Sequence, residues 1–375
     1  MTANPCVLLG QFGQSLWLDY IQRSLITSGA LKKMITQDGL KGMTSNPSIF
    51  EKAIVESHDY DETIRKLVNE GKNVDEIYQT LSQQDVQMAA DEFRPVYERT
   101  DGVDGMVSIE VNPHLAHDTD GTIEEARRLW KEINRPNIFV KVPATLQGLP
   151  AIEQLISEGI NINVTLLFGL GRYKEVAAAF LAGLQRRAER GLPLKNIASV
   201  ASFFLSRIDV LLDPVLESLI KQGGEKAELA KKLHGRIAIA SAKIAYQIYK
   251  ELFSPEKFKP FFDKGARTQR LLWASTSTKN PAYSDVKFVE ALIGPNTVNT
   301  VPVETFNKYK DHGKPALTLE QDVDQAFWIF EQLPKVSIAI DKATQQLEDE
   351  GVQKFIEPFD KLMDSLKTAV KRHEA

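Results

Sequence analysis

Short apolar runs alternate with longer amphipathic stretches along the whole chain, and this alternation limits the fold more than any other feature. Eight runs are typical of strands: Ser15–Asp19, Gly39–Ser45, Met106–Val111, Asn137–Val142, Ile160–Phe168, Ile197–Phe204, Arg270–Ser275 and Thr297–Val301. Between them, segments such as Gly121–Ile133 and Tyr173–Gly191 repeat apolar residues at the spacing of amphipathic helices. Apolar strands that are each followed by a helix predict a parallel sheet covered on both faces.

Eight strand–helix units favour a closed (β/α)8 barrel, an α/β fold of the TIM type, over an open doubly wound sheet. No linker or composition shift divides the 375 residues, so the sequence predicts one barrel domain over residues 1–375. A barrel of this type typically needs only about 250 residues. We therefore expect helical insertions at Asp61–Glu98 and Pro214–Phe262 and a C-terminal helix over Pro334–His373, which could pack on the barrel, cover its site or form a homodimer contact.

Composition excludes several classes of protein. The 46 basic and 50 acidic side chains give a net charge of −4, which argues against a chain that binds nucleic acid mainly by charge. No stretch approaches the roughly 18 to 20 apolar residues of a membrane span, and the N-terminus lacks the features of a signal peptide. The single cysteine, Cys6, is compatible with a reducing compartment. We expect a cytoplasmic protein with neither nucleic acid nor membrane as a partner.

In barrels of this type the reacting groups lie at the carboxyl ends of the strands. Polar and charged side chains recur at those positions in this sequence: Asp19, Asn46, Glu110, Lys141, Asn163, Thr165, Ser202, Arg207 and Ser275. Each alone could be a rim residue or a satisfied buried polar group. Their recurrence at one level of the barrel favours a common site.

Lys141 is the most informative of these residues because apolar neighbours flank it on both sides. Burying an unpaired ammonium group is costly, so burial favours the neutral amine that attacks a carbonyl to form a Schiff base. The alternative is a lysine that reaches the rim or forms an ion pair with Asp19 or Glu110. The residues alone leave both interpretations open.

Asp19 and Glu110 could divide the proton transfers of Schiff-base aldol chemistry if their environments separate their pKa values. Alternatively, the two carboxylates only neutralise Lys141. Arg207 and Ser275 could hold a phosphate through a guanidinium group and a hydroxyl, although Arg207 could equally form a surface ion pair.

Two weaker patterns do not predict a cofactor or a metal. Gly169–Gly171 lacks the third glycine of a dinucleotide-binding loop. His114 and His117 precede Asp118–Gly121, which begins like a calcium loop but lacks the remaining ligands. We expect neither a cofactor nor a metal.

Six segments in chain order resemble a known family: LWLDYIQR (Leu16–Arg23), MTSNPSIF (Met43–Phe50), VSIEVNP (Val107–Pro113), IFVKVPAT (Ile138–Thr145), INVTLLF (Ile162–Phe168) and SFFLSRID (Ser202–Asp209). The chain resembles the transaldolases, specifically their longer bacterial subgroup, over nearly its whole length. The resemblance implies a barrel transferase of the non-oxidative pentose phosphate pathway that uses no metal. A dihydroxyacetone unit would pass reversibly from sedoheptulose 7-phosphate to glyceraldehyde 3-phosphate, giving erythrose 4-phosphate and fructose 6-phosphate.

The resemblance also implies a role for each site residue. Lys141 would form the imine, Asp19 would move the proton of the hydroxyl at the cleaved bond, and Glu110 with Thr165 would position a water. The implied substrate-binding residues are Asn46, Asn163 and Ser202 for the dihydroxyacetone part, Arg207 and Ser275 for the phosphate, and Phe204 for the pocket wall.

One position departs from the best-known members, in which a second phosphate-binding arginine lies two residues after the serine that corresponds to Ser275. Here that position is Ser277, and the candidates to replace the arginine are Lys279 or an arginine of Gly265–Arg270.

Two other functions stay open. One is an aldolase that releases free dihydroxyacetone, and the other is a barrel that only binds sugar phosphate. Glu110 and Phe204 favour transfer, since a glutamine or tyrosine near the lysine tends to mark the aldolase branch.

Overall fold

A computed structural model describes residues 4–374, in which eight parallel strands close into a barrel in chain order. The strands are β1 (Gln14–Asp19), β2 (Gly42–Thr44), β3 (Met106–Glu110), β4 (Ile138–Pro143), β5 (Ile162–Leu167), β6 (Ser199–Phe204), β7 (Arg270–Ala274) and β8 (Thr297–Val301). Every residue of β4, β5 and β6 is buried, as expected for strands with side chains on one face and helices on the other. The prediction of a (β/α)8 barrel is confirmed.

Seventeen α-helices are present among the described residues. They are α1 (Pro5–Leu9), α2 (Arg23–Thr27), α3 (Ala30–Gln37), α4 (Pro47–Val55), α5 (Asp61–Asn69), α6 (Val74–Arg99), α7 (Thr119–Ile133), α8 (Gly148–Glu158), α9 (Leu170–Glu189), α10 (Ser206–Gln222), α11 (Glu225–Leu233), α12 (Ile237–Leu252), α13 (Pro255–Phe262), α14 (Lys287–Glu290), α15 (Val303–His312), α16 (Val323–Gln332) and α17 (Ile340–Glu374). Short 3-10 helices span Gly10–Phe12, Pro113–Leu115 and Leu333–Val336. Within residues 4–374, no helix combines the length and the apolar character needed to cross a membrane.

Strand β2 and the C-terminal helix are among the elements that are shorter than the sequence predicts. Strand β2 occupies only the centre of the predicted Gly39–Ser45 run, because Gly39 has a left-handed φ of 70° and Asn46 already caps α4. The C-terminal helix, expected over Pro334–His373, begins at Ile340, after a 3-10 turn. In both cases a local turn occupies residues that the sequence pattern assigns to the strand or the helix.

Strand register brings the candidate residues to one level of the barrel. Glu110 is in register with Lys141 on the next strand, and Lys141 is in register with Asn163 on the strand after that. Asp19 is likewise in register with Thr44. Side chains at the same level of neighbouring parallel strands point to the same face, so these residues converge inside the carboxyl end of the barrel.

Gly42 shows how tightly the interior is packed. A Cβ atom at this position would lie 2.5 Å from the ring of Trp17, which is itself fully buried. Only glycine lets β2 approach β1 at this point, just before the segment that carries Asn46.

We therefore expect Gly42→Ala to lower the free energy of unfolding by about 1–3 kcal/mol or more, as overpacked cores do. Gly171→Ala is the matched control, because it lies in α9 with no heavy atom within 4 Å of its new methyl group. The control should be neutral or stabilising by up to about 1 kcal/mol. Urea unfolding measures the free energy of unfolding of both variants. If Gly42→Ala were as stable as Gly171→Ala, the close contact with Trp17 would not limit residue 42 to glycine.

Candidate active site

A cavity of about 150 Å³ opens at the carboxyl end of the barrel. Its walls include eight residues that the sequence singles out: Asp19, Asn46, Lys141, Thr165, Ser202, Phe204, Arg207 and Ser275. The remaining two, Glu110 and Asn163, do not line the cavity but contact Lys141 and Ser202, respectively. The structure thus brings together all ten candidate residues.

Lys141 lies almost fully buried at the base of this cavity, with 5% of its surface exposed. Its ammonium nitrogen Nζ donates to the backbone oxygen of Ser45 at 2.9 Å and to Glu110 Oε2 at 3.3 Å. Glu110, rather than Asp19, is therefore the ion-pair partner of Lys141, and the lysine is buried rather than extended to the rim. Pairing and the carbonyl contact offset part of the desolvation cost of a buried charge.

Burial acts strongly on both carboxyl groups near Lys141. It raises the pKa of Glu110 to about 7, although the charge of Lys141 and its hydrogen bond pull in the opposite direction. It also raises the pKa of Asp19, opposed by Lys141 and by a hydrogen bond from Thr44. A carboxyl group with a pKa near neutrality can both accept and donate a proton, as general acid–base chemistry requires.

Two threonines that the sequence analysis missed orient Asp19. Thr44 donates its hydroxyl to Asp19 Oδ1 at 2.7 Å, and the hydroxyl of Thr300 lies 2.7 Å from that of Thr44. Because Thr44 uses its proton on the carboxylate, Thr300 is the donor between the two hydroxyls. Thr44 lies in the MTSNPSIF segment, so the sequence offered a signal for it. Thr300 had no such signal, because it reaches Thr44 only when the barrel closes.

The polar groups that accompany Lys141 at the cavity are held in place by the fold. Asn46 accepts a hydrogen bond from the Ile49 backbone N–H through its side-chain oxygen, which caps α4 and leaves its NH2 group for a ligand. Asn163 donates to Ser108 and accepts from Ser202 at 2.6 Å. Ser202 therefore presents an acceptor oxygen to the cavity. The hydroxyl oxygen of Thr165 is buried and has no hydrogen-bond partner among the described residues.

Arg207 is half-buried and supplies a positive charge to the cavity, with its Nη1 atom out of contact with solvent. Its Nη1 atom has no hydrogen-bond partner, and no carboxylate of the described residues lies within ion-pair distance. Burial lowers the pKa of this guanidinium, against the attraction of Glu350 and Glu110. The alternative of a surface ion pair is wrong, and a half-buried guanidinium with an unpaired buried donor atom is suited to an anionic ligand.

The structure also separates the candidates for the second cation. Arg270 begins β7 and pairs with Asp104 at the amino end of the barrel, while Arg267 donates to Asp101. Neither arginine can reach the cavity at the carboxyl end. Lys279 lines that cavity together with Ser277.

The two weaker sequence patterns have structural explanations. His114 contacts Asp360 of α17 at 2.7 Å, and among residues 4–371, whose side chains the structure describes, no group of three His, Cys, Asp or Glu residues is arranged to hold a metal. A Cβ atom on Gly169 would lie 3.0 Å from the hydroxyl of Thr344. Because Gly169 has no side chain, α17 can pack closely against the end of β5.

A buried lysine beside two carboxyl groups, in a cavity at the carboxyl end of a (β/α)8 barrel, is typical of barrel enzymes. A family model described as transaldolase/fructose-6-phosphate aldolase matches residues 16–366. A transaldolase of Trichodesmium erythraeum is 47% identical over 99% of both chains, and transaldolase 2 of Nostoc punctiforme is 46% identical over the same share. A transaldolase of Thermobifida fusca is 42% identical, again over 99% of both chains.

The chain belongs to the transaldolase/fructose-6-phosphate aldolase family. It is an enzyme, a transferase of the transaldolase type.

We expect inorganic phosphate to bind at the Arg207–Lys279 end of the cavity. Because hydrogen bonds to charged groups contribute about 1.5–3 kcal/mol, Arg207→Ala and Lys279→Ala should each raise the Kd by about 10- to 100-fold. Titration calorimetry measures the Kd, and Lys264→Ala, an exposed lysine outside the cavity, is the control. Unchanged binding in Lys279→Ala would remove this lysine from the anion site.

Proposed function

We propose that this transaldolase moves a dihydroxyacetone unit from sedoheptulose 7-phosphate to glyceraldehyde 3-phosphate through a Schiff base on Lys141. The products are erythrose 4-phosphate and fructose 6-phosphate, and the reaction is reversible. The observation that carries the proposal is the burial of Lys141 beside Glu110 at the base of the cavity. We further propose that the enzyme works in the cytoplasm, in the non-oxidative pentose phosphate pathway.

Imine formation begins with the neutral amine of Lys141. Glu110 lies 3.3 Å from Nζ and takes up the ammonium proton, which its pKa of about 7 permits. The nitrogen then attacks the ketose carbonyl carbon to give a carbinolamine, which loses water to form the imine. Glu110 and the unpartnered hydroxyl of Thr165 position the water that carries protons between these steps.

Carbon–carbon cleavage follows from the imine. Asp19 accepts the proton of the hydroxyl on the carbon that leaves, the bond breaks, and its electrons form an enamine on Lys141 as the first aldose departs. The same carboxyl returns the proton when the enamine carbon attacks the acceptor aldehyde. Burial raises the pKa of Asp19, which favours uptake of this proton by the carboxyl group.

The two ends of the cavity support a substrate with one polar and one anionic end. Asn46 and Ser202 line the end near Lys141, with Asn163 behind Ser202, and these residues bind the dihydroxyacetone hydroxyls. Arg207, with Ser275 and Lys279, binds the phosphate. Lys279 then replaces the arginine that is absent at Ser277.

Borohydride reduction in the presence of fructose 6-phosphate should leave a reduced dihydroxyacetone adduct on Lys141, because borohydride traps an imine. Peptide mass spectrometry locates the adduct. Lys141→Arg should abolish both the adduct and turnover, since a guanidinium cannot form the imine.

The matched control is Lys243→Arg, which replaces another buried lysine, one that donates to the backbone oxygens of Thr318 and Gln321 outside the cavity. It should keep the adduct. A folded wild-type enzyme that shows no adduct would refute the Schiff-base mechanism, and sugar-phosphate binding without turnover would then be the better function.

The raised pKa of Glu110 predicts a pH dependence. Below pH 7 the carboxyl is protonated and cannot accept the proton of Lys141, so kcat/KM should fall as the pH drops through about 7. Glu110→Gln should remove this limb of the profile and lower kcat by about 10²- to 10⁴-fold. The control Glu124→Gln, on the exposed side of α7, should keep both the wild-type pH profile and the wild-type kcat. If kcat/KM of Glu110→Gln still falls as the pH drops through about 7, the titrating group is not Glu110.

The family also includes enzymes named fructose-6-phosphate aldolase, which makes release of free dihydroxyacetone the second candidate. Assays with fructose 6-phosphate alone, and with an added acceptor aldose, separate the two functions. A transaldolase turns over substantially only when the acceptor is present.

A further inference from the structure

The long helix α17 contributes one wall of the active-site cavity. It is held against the barrel by a buried ion pair between Arg172 of α9 and Glu348, 3.0 Å long, in which both side chains are at most 11% exposed. Further along, Asp360 contacts His114, and Lys361 pairs with Glu51 of α4. Contacts at both ends fix the segment between Glu348 and Asp360 over the cavity.

A close approach in the middle of this segment sets its distance from the barrel. A Cβ atom on Gly351 would lie 3.1 Å from Leu166. Leu166 follows Thr165 in a β-bulge of β5 and has a left-handed φ of 56°. The helix therefore packs directly on the strand end that carries Thr165.

One turn after Gly351, Phe355 points into the cavity. Its ring centre lies 5.7 Å from Lys141 Nζ and 6.0 Å from the guanidinium carbon of Arg207, and only 7% of the residue is exposed. Phe204 lies 5.5 Å from the same guanidinium carbon. Arg207 is thus flanked by two aromatic rings, and the reacting amine faces one of them.

We propose that Phe355 is a specificity-determining residue that keeps water away from the enamine on Lys141, so that the intermediate is retained for an acceptor aldose. This inference rests on the proposed Schiff-base transfer. The polar groups of the site are carried by the strands and by the loops and first helical turn that follow them, whereas Phe355 presents an apolar face to Lys141 from α17.

The competing reaction that Phe355 suppresses is hydrolysis of the enamine. In that reaction the enamine carbon takes a proton from water and gives an iminium ion. Hydroxide or water then adds to the iminium carbon, the carbon–nitrogen bond breaks, and dihydroxyacetone leaves as the lysine amine is restored. In transfer, the enamine carbon forms its new bond with the acceptor aldehyde carbon, and the aldehyde oxygen takes the proton held by Asp19. Water then adds to the resulting imine, the carbon–nitrogen bond breaks, and the new ketose leaves as the lysine amine is restored. Keeping water from the enamine carbon slows the first reaction without blocking the second, because transfer needs water only after the new carbon–carbon bond has formed.

The experiment measures how the enamine partitions. Fructose 6-phosphate is the donor, erythrose 4-phosphate is the acceptor, and the ratio of free dihydroxyacetone to sedoheptulose 7-phosphate is determined for each variant. Phe355→Ala should raise this ratio roughly tenfold or more, because the smaller side chain admits water beside Lys141. Phe355→Leu, which keeps an apolar side chain, should give a ratio between those of the wild type and Phe355→Ala. It also keeps the test possible if Phe355→Ala does not fold.

Phe359→Ala is the matched control. Phe359 lies one turn further along α17, is also buried, and packs against Tyr78 and His114 outside the cavity. It tests whether loosening α17 is enough to change partitioning. The ratio is independent of the fraction of folded enzyme, so a purely structural role of Phe355 would leave it unchanged.

The outcomes separate this inference from the proposed function. A raised ratio in the Phe355 variants, with the control unchanged, supports the inference. If all variants give the wild-type ratio while the wild-type enzyme shows the Lys141 adduct, only the role of Phe355 is overturned. A wild-type enzyme without the adduct overturns the Schiff-base transfer itself.

Discussion

The contact between Lys141 and Glu110, buried at the carboxyl end of the barrel, is the interaction on which the rest of the site depends. Taking both charges out of water costs several kcal/mol per ion, and the cost is offset by their contact and by the backbone oxygen of Ser45. The same burial raises the pKa of Glu110 toward neutrality. An amine that is held beside such a carboxyl group can exchange its proton and react with a carbonyl, which a fully hydrated pair would do poorly.

The fold provides this environment from three sides. Strand register sets Glu110, Lys141 and Asn163 at one level, since neighbouring parallel strands repeat their side-chain directions. The amino end of the barrel is closed by other polar contacts, including the buried pair of Arg270 and Asp104. Helix α17 then brings the ring of Phe355 to the carboxyl end. The amine of Lys141 is almost fully buried beside a small cavity, and charges there interact strongly because they are poorly screened.

Particular residues show how far sequence reasoning reaches. The barrel and the ten candidate residues follow from strand pattern and motif, because carboxyl-end residues of a parallel barrel must face one cavity. The environment of Arg207 does not follow, since its neighbours in sequence are compatible with either a surface ion pair or a buried donor. Lys279 becomes the better replacement for the absent arginine only once Arg267 and Arg270 are seen to pair near the amino end. The sequence does not indicate the position of Phe355 at the cavity, because an apolar residue in a helix does not reveal which surface it contacts.

The sequence by itself determined the elements of this protein, their order and the chemical groups available at each strand end. Hydrophobic periodicity is a local property of the chain, and a helix cap such as Asn46 acts on the backbone a few residues away. Only the tertiary structure decided which carboxylate pairs with Lys141, that Thr300 supports Asp19 through Thr44, and that Phe355 completes the cavity. These contacts join residues from dozens to hundreds of positions apart, and their geometry exists only when the barrel has closed.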